Sequence, residues 1–194
     1  IGEDWYTITE VMPTIQCLFF YNKEVLANAG VDKVPATYSE FREACKKVTE
    51  NGNGNVYGLI DGGKQTNRMD VLARSLAAAA GGKIAATTKV LVDNGVAPYN
   101  TDEVKQALGL IEGLVEDGSI HPDTINISAP EARELFAQGQ AAFLCQGMWC
   151  IPQWDMNYPD LDYSVMAVPV PDGATDTYVQ AGELSPWIGV YKQS

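Results

Sequence analysis

The stretch from Phe136 to Trp149 reads, in order, as a helix end, a glycine, a short apolar run, a second glycine and an aromatic ring. Gly139 stands where a helix ends on a left-handed residue, and Ala141 to Cys145 is apolar over a strand's length, too short for a second helix. Gly147 is expected to let the chain turn, which delivers Trp149 at the carboxyl end of a strand. In open α/β sheets ligands lie at that end. Few other chain courses fit these residues, and the rest of the sequence repeats the same alternation of helix and strand.

Ile15 to Tyr21 is too apolar for a surface strand and reads as a central one. Asn22 ends it, and Lys23 to Asn28 forms a short helix stopped by Gly30. Thr37 and Glu40 make a capping box, so a helix runs to about Glu50 with Phe41, Ala44, Cys45 and Val48 on one face. Asn51 to Asn55 is a loop, followed by a strand from Val56 to Ile60. Met69 to Ala80 is helical and stops at Gly81-Gly82, and Ile84 to Asp93 reads as a hairpin-like excursion. Thr101, or Asn100, caps a helix from Asp102 to Glu116 whose apolar positions are Val104, Ala107, Leu108, Ile111, Leu114 and Val115. Ser128 and Glu131 form a second capping box, opening the helix that leads into Phe136 to Trp149. Pro152 to Leu161 is a connector that begins as a short helix; Tyr163 to Val168 is a strand ending in the turn Pro169-Val-Pro171-Asp-Gly, and Trp187 to Tyr191 is the last strand. Strands separated by helices make this one α/β domain.

With 13 Lys plus Arg against 25 Asp plus Glu, the formal net charge is −12, which repels phosphate backbones and anionic headgroups. Nucleic acid and direct membrane insertion are therefore not expected partners; no apolar run approaches the roughly 20 residues of a membrane helix. The chain opens on Ile1, which suggests a mature or excised piece. Cys17, Cys45, Cys145 and Cys150 form no close pair of the kind zinc requires and read as buried thiols. Neither metal nor cofactor is expected.

The glycine-rich Asn51 to Asn55 loop lacks the Lys-Ser or Lys-Thr of a phosphate cradle and reads as a turn. His121, the only histidine, precedes a proline and reads as a solvated loop residue. No serine sits in a nucleophile elbow. Trp5, Tyr6, Trp149, Trp154 and Trp187 fall near segment ends. Each is either core or a ring for stacking on the C–H face of a sugar, with Glu10, Gln146 and Glu183 as hydroxyl partners.

Several of these stretches, in this order, resemble the extracellular sugar-binding solute-binding proteins of bacterial ABC transporters, the family of maltose-binding protein. Phe20-Tyr-Asn-Lys-Glu24, Pro35-Ala-Thr-Tyr-Ser-Glu-Phe41, Val56-Tyr-Gly58, Ala79 to Gly82, Phe136 to Trp149, Val168-Pro-Val-Pro171 and Ala181-Gly-Glu183 carry the likeness. Phe143, Gln140, Cys145, Met148 and Cys150 depart from the family's usual residues. The resemblance implies a three-layer, type II periplasmic-binding-protein-like lobe with helices packed on a mixed sheet. Residues 1–194 correspond to the second lobe of a two-lobed protein, the first being absent from the chain.

The resemblance further implies a binding protein, not an enzyme, that holds a mono- or oligosaccharide between its lobes. It would deliver this sugar to a permease from an extracellular or periplasmic position, lipid-anchored through a segment outside this chain. Trp149 falls where the family stacks a tryptophan on sugar. Glu183 ranks next, followed by Gly147, Gly182, Glu10, Met12, Thr14 and Arg68; no catalytic or metal-binding residue is implied. Two alternatives remain at this point: a glycoside-processing domain using a carboxylate pair, which is defined only in space, and a ligand-sensing receptor lobe.

Overall fold

The computed structural model describes residues 7–9, 18–81, 100–174 and 187–189. A four-stranded mixed sheet contains β2 (Leu18–Asn22), β3 (Tyr57–Ile60), β4 (Ala141–Gln146) and β5 (Tyr163–Met166) in the order β3-β4-β2-β5. β3 and β4 are parallel, whereas β2 runs antiparallel to both of its neighbours. β2 is therefore internal, as its apolar run predicts. A separate two-stranded ribbon joins β1 (Thr7–Thr9) to β6 (Trp187–Gly189), antiparallel, with Thr7 opposite Gly189 and Thr9 opposite Trp187.

The helices are α1 (Lys23–Asn28), α2 (Tyr38–Asn51), α3 (Thr66–Ala79), α4 (Asp102–Glu116), α5 (Ala129–Ala137) and α6 (Cys150–Asn157). They cover both faces of the sheet because its strands are apolar on both. Phe19, Leu59, Phe143 and Cys145 pack with residues of α1 to α4. Phe20, Ile60 and Leu144 point the other way, onto Ala132 and Phe136 of α5 and Cys150 and Trp154 of α6. This alternation follows from the two-residue period of a strand, and it yields the three-layer lobe.

Local signals set most of the helix ends. Thr37 accepts a hydrogen bond from the Glu40 N–H at 3.3 Å, and Glu40 Oε2 accepts from the Thr37 N–H at 3.4 Å, completing the capping box. Ser128 and Glu131 repeat the arrangement at α5. Such caps are each worth about 1 kcal/mol. Gly139, at φ +78°, closes α5: its N–H donates to the Phe136 carbonyl and that of Gln140 to the Leu135 carbonyl, sending the chain directly into β4.

Some expectations need correction. On α4 the buried positions are Val104, Ala107, Leu110, Gly113 and Leu114, while Leu108 is 49 % and Val115 62 % exposed. Both exposed residues keep helical spacing, but they lie one step round from the stripe that meets α3. α3 begins at Thr66, ahead of Met69, and its N-cap Gln65 makes no side-chain cap. α6 begins at Cys150, two residues before Pro152. Within the expected turn Val170 is bridged to Thr37, with the Tyr38 N–H donating to the Val170 carbonyl at 2.8 Å, and the chain reverses at its Asp172-Gly173 end. His121 is buried, not solvated. Ile120 extends the sheet beside Leu59, and the His121 ring meets the Tyr57 ring edge-on at 4.9 Å. Burial holds its imidazole below the usual histidine pKa. The expected excursion of Ile84 to Asp93 lies outside the described residues.

The cysteines also divide differently from expectation. Cys45 and Cys150 are buried thiols, and burial pushes that of Cys150 up to about 11. Cys145 is disulfide-bonded. Cys17, the fourth cysteine of the chain, lies outside the described residues. Thiol titration of the denatured protein is expected to find two reactive groups before reduction and four after it. Four without reductant would rule the bond out.

Candidate functional site

Parallel β3 and β4 end on the same edge of the sheet, and antiparallel β2 begins there, with Leu18 opposite Gln146. Three groups meet at this edge. Asp61 and its Gly62-Gly63 loop follow β3, Arg68 stands in the first turn of α3, and Gln146-Gly-Met-Trp149 leads from β4 into α6.

Trp149 is the N-cap residue of α6 and is 47 % exposed, beside a 40 % exposed Met148. Its ring is seated by Gly147. A β-carbon at that position would lie 2.2 Å from Cη2 and Cζ3 of the indole, far inside contact distance. Gly147 does not adopt a positive φ. The glycine is thus required by the ring that rests on it and not by a left-handed turn. An exposed indole supported on one side by backbone presents an apolar surface already fixed in place.

The same edge holds a buried ion pair. Arg68 Nε donates to Asp61 Oδ1 at 3.1 Å and Nη2 to Oδ2 at 3.2 Å, a bidentate contact. Nη2 also donates to the Cys145 carbonyl, and the Gly62 N–H donates to Asp61 Oδ1 at 2.7 Å. Asp61 is 1 % and Arg68 6 % exposed. Burial pushes the Asp61 carboxyl above its usual range, against the pull of Arg68 and of the Gly62 N–H. With desolvation dominating, the pair is better understood as fixing geometry than as a net source of stability. It ties the end of β3 to the end of β4 two residues before Gly147.

Of the residues predicted from sequence, the structure brings Gly147, Trp149 and Arg68 to one edge. The Arg68 guanidinium is taken up inside the lobe by Asp61 and Cys145. Glu10, Met12, Thr14, Gly182 and Glu183 lie outside the described residues. Gln146 is 1 % exposed, and its side-chain Nε2 has no hydrogen-bond partner among the described residues. Asp61 was not foreseen, although an aspartate between a strand and a Gly-Gly pair is a usable signal. Among the described residues no group of three or more His, Cys, Asp or Glu side chains could hold a metal ion, and no helix is long and apolar enough to cross a membrane.

Solved structures share this architecture. A sugar transporter from Bacillus licheniformis in complex with stachyose superposes with a TM-score of 0.73 at 20% identity, over 96% of this chain and 48% of the other. An ABC transporter solute-binding protein from Thermotoga lettingae bound with α-D-tagatose gives a TM-score of 0.68 at 26% identity, over 93% and 46%. A curated binding protein of Brucella abortus is 27% identical over 160 residues, which make up 82% of this chain and 37% of that protein. The chain therefore spans less than half the length of these relatives. The sequence profile of the bacterial extracellular solute-binding proteins matches residues 4–194. Through that match, and a fold shared with these structures, the chain belongs to the bacterial extracellular solute-binding protein family.

Proposed function

We propose that this chain is the second lobe of a two-lobed protein that captures a carbohydrate between its lobes and hands it to an ABC transporter permease. The observation that carries the reading is the exposed Trp149 ring seated on Gly147 at the carboxyl edge of β4. A pyranose offers such a ring a patch of C–H groups, and polar neighbours read its hydroxyls. Relatives solved with stachyose, α-D-tagatose and cycloalternan support a saccharide as the ligand class.

Binding is the whole task, with no covalent step. Closure of the first lobe over Trp149 excludes water and strengthens both stacking and hydrogen bonding. Glu183, Gly182, Glu10, Met12 and Thr14 are proposed as the polar and backbone contacts around the ring. Arg68 is proposed to act at one remove, by fixing the strand end. A disulfide at Cys145 fits an oxidising compartment outside the cytoplasm, and attachment to the cell surface by a lipid is proposed for the whole protein.

A saccharide panel screened by thermal shift on the whole protein tests this reading. At least one sugar is expected to raise the midpoint in a concentration-dependent way, as mass action requires. If no saccharide does so while a peptide, polyamine or metal chelate does, the carbohydrate assignment is wrong.

A further inference from the structure

A cavity of about 560 Å³ opens at the other edge of the sheet, where β2 ends at Asn22 and where Val56 and Gly139 lead into β3 and β4. Its size is ordinary for a small-molecule site, and no role in the proposed cleft reaches it. Four helices terminate on its wall: α1 at Ala29, α2 at Gly52, α5 at Gln138 and α6 at Tyr158. None of them carries a basic residue in its last turn. Each terminus contributes partial negative charge, about half an elementary charge for a helix of full length, and of the four only that of α1 meets a cation among the described residues, Lys47 on the Gly30 carbonyl.

The rim adds Glu24, Asp160 and Asp162. Lys23 takes up Asp162 at 2.6 Å. Glu24 and Asp160 make no hydrogen bond or ion pair among the described residues. No Lys, Arg or His lines the cavity, and Lys47 donates instead to the Gly30 carbonyl outside it. Val25, Val48 and Leu161 line it beside the amides of Asn22, Asn28 and Asn51. Negative potential beside apolar side chains excludes anions and disfavours a bare metal ion, which would want several converging oxygen ligands and water. It suits a positive head carried on a hydrocarbon body.

We infer that this cavity is a second binding site, separate from the Trp149 edge, for a small organic cation with an apolar body, of the alkyl- or arylammonium class. The site stands independently of the carbohydrate reading, because it shares no residue with it.

The test is an NMR titration of the whole protein with benzyltrimethylammonium, beside neutral benzyl alcohol and anionic benzoate. The cation is expected to give saturable shifts at the amides of Ala29, Gly52 and Gln138, weakening with added salt, while benzoate gives none. The double variant Glu24→Gln/Asp160→Asn, at two exposed positions whose loss leaves the fold intact, should bind about tenfold more weakly. Trp149→Ala and saturating sugar should leave the titration unchanged. Equal binding of benzyl alcohol, unchanged affinity in the double variant, shifts that follow Trp149 or no saturation at these amides would each overturn the proposal.

Discussion

Replacing Arg68 by methionine should lower the free energy of unfolding by about 3–5 kcal/mol, because it strands the Asp61 carboxylate in the interior. Asp61 is 1 % exposed, and the backbone N–H of Gly62 would be its one remaining partner among the described residues. Urea denaturation of the two proteins at neutral pH measures the loss. The companion variant Asp61→Leu/Arg68→Met removes both charges and should recover most of it, since a buried pair replaced by apolar groups of similar volume is often neutral. If the single variant lost less than about 1 kcal/mol, the pair would not be the tie between β3 and β4 described above.

The pH dependence of the single variant has a definite sign. Without Arg68, burial of Asp61 is opposed only by the Gly62 N–H, so its folded pKa rises further above the unfolded value near 3.9. A carboxyl shifted upward favours the folded state below its unfolded pKa and loses that contribution as pH rises through the folded one. The penalty of Arg68→Met should therefore be greatest at neutral pH and shrink on acidification.

The largest effect on binding is expected at Trp149. Truncation to alanine in the whole protein should weaken the preferred sugar about 10- to 100-fold, the range for removing an aromatic anchor at the centre of a contact. Phenylalanine should restore part of the loss. Because the ring is 47 % exposed, the thermal midpoint of the sugar-free protein should move little. Gly147→Ala provides an independent check, since its β-carbon would occupy the place of the indole and displace it. Calorimetry should show both variants failing together. A Trp149→Ala protein that binds every sugar as the parent does would remove the ring from the site.

Much of the fold was legible because its signals are local. Thr37 with Glu40, Ser128 with Glu131, and Gly139 each act within one helical turn, and each stands where the sequence placed it. The start of α3 was missed because Gln65 supplies no cap and nothing nearby distinguishes Thr66 from loop. Leu108 and Val115 keep helical spacing yet face outward, because spacing gives a helix its stripe without saying where the neighbouring helix α3 will lie. His121 is buried by a bridge between Ile120 and Leu59, residues far apart in the chain. Of the candidate site, Gly147 and Trp149 were readable from adjacent residues. The Asp61 partnership depends on which strands run parallel, and the role of Gly147 as a seat for the ring depends on coordinates.

The ribbon of β1 and β6 carries a kinetic consequence. Thr7 and Gly189 face each other across the ribbon, separated by about 180 residues of chain. Closing a loop of that length costs conformational entropy which only three facing residue pairs repay locally. Folding should therefore begin among the short-range contacts of β2, α1 and α2, with the ribbon zipping last. The same strands should be first to part under native conditions, exchanging their amide hydrogens sooner than β4, where every residue from Ala141 to Gln146 is buried.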